Sequence, residues 1–148
     1  MTITFLLAFV GYATLAAAAV TAVVRPRRGL IRVCAAIVLA HVVLVWRLRY
    51  DWQLAEATRN GPAGFVVFHT ALAAILWATV APDAWARRLI IAGFAIVTMG
   101  ALGAVFRYDD VRSYRVPVIV CAVAGAAGIA GRAARRRPGA VPRTEVSR

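Results

Sequence analysis

Lysine is absent from this sequence: all 18 basic residues are arginine. Together with abundant alanine, valine and glycine, this composition points to a GC-rich coding sequence. Acidic residues are scarce, six in all, which leaves a formal net charge of +12. A surplus of that size could serve nucleic acid. The arginines, however, stand at the ends of apolar runs and in the C-terminal tail, with no basic face or recognition motif, so nucleic acid is not an expected partner.

Catalytic machinery is also missing. There is no CxxC, no HExxH, no Ser-His-Asp set and no phosphate-binding glycine loop, so an enzyme is not indicated. Asp51 with Glu56, or Asp109 with Asp110, could be read as paired carboxylates, but neighbouring surface acids are too common to carry that chemistry. Nor do the apolar runs each bear charges, as a stand-alone ion-coupled transporter requires. Only two cysteines occur, Cys34 and Cys121. Their places along two spans differ in depth by about 10–15 Å, and a disulfide needs Cα atoms within about 7 Å, so both are expected to be small buried hydrophobes.

What the sequence does have is apolar length. Hydrophobic residues make up 62% of the chain and mean hydropathy is +0.75, against about 45–50% apolar for a soluble domain. Five runs stand out: residues 3–24, 30–48, 62–81, 89–106 and 115–131. A membrane-spanning helix takes about 20 residues, with a lower limit near 17, so the fifth run is the shortest candidate. The first run lacks a basic n-region, is too long for a signal-peptide core and is followed by Arg25, Arg27 and Arg28, so it is read as a retained helix. Counting arginine in the connections puts 12 on one side and six on the other. The arginine-rich side is expected to be cytoplasmic.

The expected fold is therefore an all-α membrane protein: a five-helix transmembrane bundle over residues 1–131, N-terminus out and C-terminus in. Residues 132–148 are expected to form a disordered basic cytoplasmic tail against anionic head groups. The expected location is a bacterial cytoplasmic (inner) membrane, with the lipid bilayer and a membrane-protein partner or second copy as partners. Asn60-Gly61-Pro62 reads as a turn into the third run, and Asp83 as a cap leading into the fourth. Trp46, Tyr50 and Trp52 read as an outer aromatic belt, with Trp85 anchoring the other face. Small residues four apart, Ala13/Ala17/Thr21, Gly100/Ala104, Ala122/Ala126/Ala130 and Ala124/Gly128, are expected to carry close helix packing.

Two candidate sites follow. The chain's two histidines, His41 and His69, lie inside consecutive antiparallel runs, each seven residues from the outer end. Matched depth would suit the axial ligands of a haem b, or a proton relay in an oligomeric transporter. The bland alternative is a hydrogen bond to a neighbouring helix. No third ligand for zinc stands at that level. The other candidate is a polar outer surface from two loops: Arg47, Arg49, Tyr50, Asp51, Trp52, Glu56 and Arg59 in the first, and Arg107, Tyr108, Asp109, Asp110 and Arg112 in the second. The tripeptide Arg-Tyr-Asp occurs in both, at 49–51 and 107–109. Leu48, Trp52 and Ala55 keep helical spacing, so the first loop is expected to continue the second run or to lie along the interface. Asp109 or Asp110 could pair with Arg47 or Arg49, although surface pairs are worth little. This leaves a non-enzymatic accessory or structural subunit with an outward docking surface as the leading expectation.

Overall fold

The computed structural model describes residues 2–59 and 62–136. All regular structure among them is helical: α1 Thr2–Ala22, α2 Arg28–Leu48, the short α3 Leu54–Thr58, α4 Pro62–Ala78, α5 Asp83–Arg107 and α6 Arg115–Arg135. A 3-10 segment, Asp109–Tyr114, joins α5 to α6. Four helices are long and apolar enough to cross a membrane: those at Ile3–Ala22, Arg28–Leu48, Asp83–Arg107 and Val111–Arg135. α4 is apolar but has only 17 residues. The expected turn at Asn60-Gly61 and the expected disorder of residues 137–148 lie outside the described residues.

The lengths reverse the expectation from hydropathy. The third run was to reach Ala81 and the fifth was to be the short one. Instead α4 stops at Ala78, while α6 runs to Arg135. Pro82, four residues after Ala78, has no N–H to return to it, and the freed carbonyls are taken from outside. Arg28, at the start of α2, donates to the Ala78 carbonyl at 3.0 Å and to the Ala81 carbonyl at 2.6 Å. Beyond Ala78 the backbone closes in tight turns onto Leu76 and Trp77. Pro82 then serves as the N-cap residue of α5, which begins six residues before the apolar run does. Asp83 is thus the first residue of α5 and its carboxylate meets Arg28 at 2.5 Å. It favours the positive end of that helix by its charge, not as the expected cap.

α1 packs on α2, α5 and α6, and α5 packs on α4, α1 and α6, while α4 also touches α2. Leu15, Ile31, Ile75, Ile90 and Cys34 are the largest fully buried side chains, and no polar residue is buried among those described. Close approach depends on small residues at these contacts. A Cβ on Gly128 would come within 2.8 Å of Val20, and one on Gly125 within 2.4 Å of the Phe94 ring. The expected stripes hold in part: Gly128, Ala122 and Gly100, where a Cβ would meet Phe68 at 2.9 Å, lie at close contacts, but the spacing of four is not sustained. Ala17, Ala124, Ala126 and Ala130 are exposed, whereas Leu15, Ala18, Ala19 and Ala22 in α1 and Val118, Ala122 and Gly125 in α6 are buried. A strict spacing of four drifts about 40° per step around a helix of 3.6 residues per turn, so it leaves the contact after two steps. Mixed steps of three and four stay on it.

Arginine closes three helix ends. Arg28 takes the carbonyls after α4, Arg115 Nε donates to the Val105 carbonyl of α5 at 2.6 Å, and Arg136 donates to the Val24 carbonyl beyond α1. The last few C=O groups of a helix have no intrahelical donor, and a planar guanidinium can satisfy two at once.

Candidate functional site

The two ends of the bundle differ. One carries the α1–α2 and α4–α5 turns and the end of α6. The other carries α3 and the 3-10 segment, and it holds both histidines' nearest helix ends.

At this second end α2 finishes in a turn that side-chain bulk would ordinarily oppose. Asp51 and Trp52 have φ of 42° and 62°, the left-handed region that suits glycine and is an outlier for a residue as large as tryptophan. The Trp52 N–H reaches back to the Trp46 carbonyl at 3.1 Å, and the Gln53 N–H to the Tyr50 carbonyl at 2.8 Å. The chain therefore reverses rather than continuing α2, and α3 is a separate five-residue helix. The reversal lays Trp52 on Trp46, with ring centroids 6.2 Å apart and planes 22° from parallel. Tyr50 and Phe65 meet Trp46 edge-on, each at 6.1 Å.

His69 completes this cluster. Its ring stacks on Phe65 at 3.9 Å, one helical turn earlier, and meets Trp46 edge-on at 6.1 Å. Its Nδ1 is 2.8 Å from the Phe65 carbonyl, and Trp46 Nε1 is 3.4 Å from its Nε2. An indole N–H can only donate and a carbonyl can only accept, so the ring fits as the neutral tautomer with hydrogen on Nδ1. Both nitrogens are then used.

His41 belongs to another contact. Cys34 Sγ lies 3.9 Å from the Gly11 carbonyl of α1, and a Cβ on Gly11 would touch Val38 at 3.2 Å. Cys34, Val38 and His41 share one face of α2 by their spacing. In an antiparallel pair the register set by Cys34 and Gly11 carries His41, seven residues on, to Thr4, seven residues back. The Thr4 backbone is indeed its polar neighbour. His41 Nδ1 is buried with no hydrogen-bond partner. Trp46, the α2 residue that meets His69, is five residues further, about 140° around the helix. The structure thus places the two histidines on different interfaces and does not bring them together. A haem between them would need α2 rotated and the Trp46–His69 bond broken, although the Nδ1 bond to Phe65 could remain, so the two histidines as placed do not form a bis-histidine site.

The polar surface is likewise divided. Arg47 pairs with Asp51 at 2.7 Å and Arg59 with Glu56, both within one loop. Of the expected pairings of Asp109 or Asp110 with Arg47 or Arg49, that of Arg47 with Asp109 is replaced by this local one, since a partner four residues away needs no second loop to arrive. Arg49, Tyr50, Glu56 and Arg59 line a small hollow of about 180 Å³. In the second loop the Arg107 guanidinium covers the Tyr108 ring at 5.6 Å, and Asp109 and Arg112 lie in the 3-10 segment. The Asp110 side chain falls outside the described set. Both Arg-Tyr-Asp tripeptides stand where a long helix ends, after α2 and after α5.

Three participants were not singled out from sequence. Phe65 could have been found from its spacing of four before His69, the interval that stacks rings on a helix. Arg28 and Arg115 were counted as charges of the connections, and nothing local marks a guanidinium that will seek a distant carbonyl. Among the described residues no three His, Cys, Asp or Glu side chains converge on one point. Over the described residues, fold and site together define an all-helical protein with four helices long and apolar enough to cross a membrane and an aromatic cluster at one end. No protein-family profile, curated protein or solved structure matches the chain.

Proposed function

We propose that the chain is a multi-pass protein of a bacterial cytoplasmic membrane, with five spans and its N-terminus outside. In this reading it acts as a non-enzymatic accessory or structural subunit whose aromatic end receives a membrane-protein partner or a second copy. The observation that carries this is the turn at Asp51–Trp52: a backbone held in the left-handed region presents Trp52 at 58% exposure on a base of packed rings. A rigid, exposed tryptophan beside arginines is the residue pattern that dominates protein interfaces. The 12-to-six arginine split supports the orientation. α4, at 17 residues, stands at the lower limit of about 17 for a span.

The test is a photo-crosslinker at Trp52 and, separately, at Trp85 near the opposite end, in cells expressing the full chain. A discrete adduct at Trp52 alone supports the reading. A lone monomer in mild detergent, with no adduct at Trp52, defeats it. An absorption spectrum after haem-replete expression is expected to lack a Soret band. A band abolished by His69→Ala would restore the haem alternative.

A further inference from the structure

The opposite end of the bundle holds a cavity of about 670 Å³ lined by Thr21, Val24, Pro26 and the arginines 25, 27, 28 and 132. We propose that this cavity binds the phosphate of an anionic phospholipid head group, with Arg25, Arg27 and Arg132 as its ligands. The proposal does not rest on the function above.

Charge is the first ground. Among the described residues this end carries nine arginines, at 25, 27, 28, 32, 87, 88, 132, 135 and 136, against the single carboxylate of Asp83. Asp83 is engaged by Arg28, whose two terminal nitrogens are also spent on the Ala78 and Ala81 carbonyls. No ion pair reaches Arg25, Arg27 or Arg132 from the described residues.

The second ground is the helix beneath them. α2 begins at Arg28 with Arg27 as N-cap residue and no side-chain cap. Its first backbone donor returned to the chain is Ile31, to the Arg27 carbonyl at 3.0 Å. The N–H groups before it have no intrahelical acceptor, and the helix dipole makes this its positive end. Cations are ordinarily placed at the other end of a helix. Here the sequence stacks them on the wrong one, an arrangement that an anion relieves and that uncapped N–H groups can help to bind.

Packing supplies the third. Gly128 lets α6 come against Val20, and Arg136 donates to the Val24 carbonyl. These contacts bring Arg132 from the far end of the sequence over the α1–α2 turn. Val24, exposed on the same rim, and Pro26 offer an apolar shoulder beside the charges. A cavity at helix ends with a cationic floor and an apolar shoulder suits a group that is anionic at one end and carries acyl chains at the other. Arginine's planar fork matches phosphate oxygens in pairs.

The test uses the full-length protein in a non-ionic detergent, with saturable binding followed by native mass spectrometry and thermal shift. The probes are dihexanoyl phosphatidylglycerol, dihexanoyl phosphatidylcholine and inorganic phosphate. Phosphatidylglycerol is expected to bind, and R25Q/R27Q/R132Q is expected to weaken it about a hundredfold, as the removal of three interfacial arginines implies. The control R32Q/R87Q/R88Q, equal in charge and outside the cavity, should change it less than threefold or so. All three arginines of the site are exposed, and none forms an ion pair among the described residues, so the ligand-free transition should stay put. Inorganic phosphate saturating the same site, with loss in the first variant only, supports the phosphate chemistry and assigns a free anion as its source. Equal binding of phosphatidylcholine, or equal loss in the control, overturns the proposal.

Discussion

The two ends of the bundle handle charge in opposite ways. At the arginine end, guanidinium groups cross the structure: Arg28 reaches Ala78 and Ala81, and Arg136 reaches Val24, 112 residues away in sequence. At the aromatic end charges are settled nearer by, Arg47 with Asp51, Arg59 with Glu56 and Arg115 with the Val105 carbonyl ten residues back, and contact between distant segments is left to rings. One end is sewn by hydrogen bonds between distant segments, the other by stacking around a turn. The difference follows from what each has in supply. The first has almost no acids, so arginine finds carbonyls. The second has acids within four residues of its arginines.

Breaking the long-range end should cost most. Arg28→Ala removes two charge-assisted bonds to carbonyls and one to Asp83, and is expected to destabilise the protein by about 2–4 kcal/mol. Thermal or SDS-induced unfolding in detergent measures it, and a loss below about 1 kcal/mol would contradict the staple. Arg115→Ala is the matching cut near the other end. It removes a single bond to Val105 and a contact over the Phe106 ring, with an expected cost of about 1.5–3 kcal/mol. If it proves costlier than Arg28→Ala, the contrast between the ends is wrong.

Trp46→Phe keeps a ring in the cluster but deletes the donor to His69, for an expected cost of about 1–2 kcal/mol. His69→Phe should then cost less in the same background than alone, because the shared bond is already gone and only the one to the Phe65 carbonyl remains to lose; full additivity in the cycle would show that the pair does not interact. Asp51→Gly should stabilise by about 0.5–1 kcal/mol, since relief at a φ of 42° outweighs loss of the exposed pair with Arg47. A destabilised Asp51→Gly would mean that the pair matters more than the backbone. The smallest effect is expected from Arg47→Ala, within about 0.5 kcal/mol in either direction.

How far the sequence reveals this structure depends on which force decides each element. The all-helical character and the approximate run positions follow from hydropathy, and α2 ends at Leu48 as expected. Hydropathy misplaces the ends that hydrogen bonding decides. α5 opens at Asp83 because Pro82 resets the backbone, and Arg87 and Arg88 ride in its first turns instead of preceding it. The carbonyl freed at the end of α4 is met by Arg28, 50 residues away, a partner no local window contains. The same holds for the site. Spacing puts Cys34 and His41 on one face, but only the partner helices show that this face belongs to α1. The loop after α2 is legible as a polar, aromatic stretch, whereas its sharp reversal at two non-glycine residues contradicts local preference and is legible only in the fold.

The position of α1 has a consequence for how the chain is made. Its buried side chains are covered by α5 and α6 as well as α2, and its end is tied to Arg136, 112 residues later. At a synthesis rate of about 5–20 residues per second, the first helix waits roughly 6–22 s for its last partner. Until α6 arrives, the alanine-lined face of α1 that it covers is available to other proteins in the membrane. Assembly is therefore exposed to competition early and committed only once α6 docks.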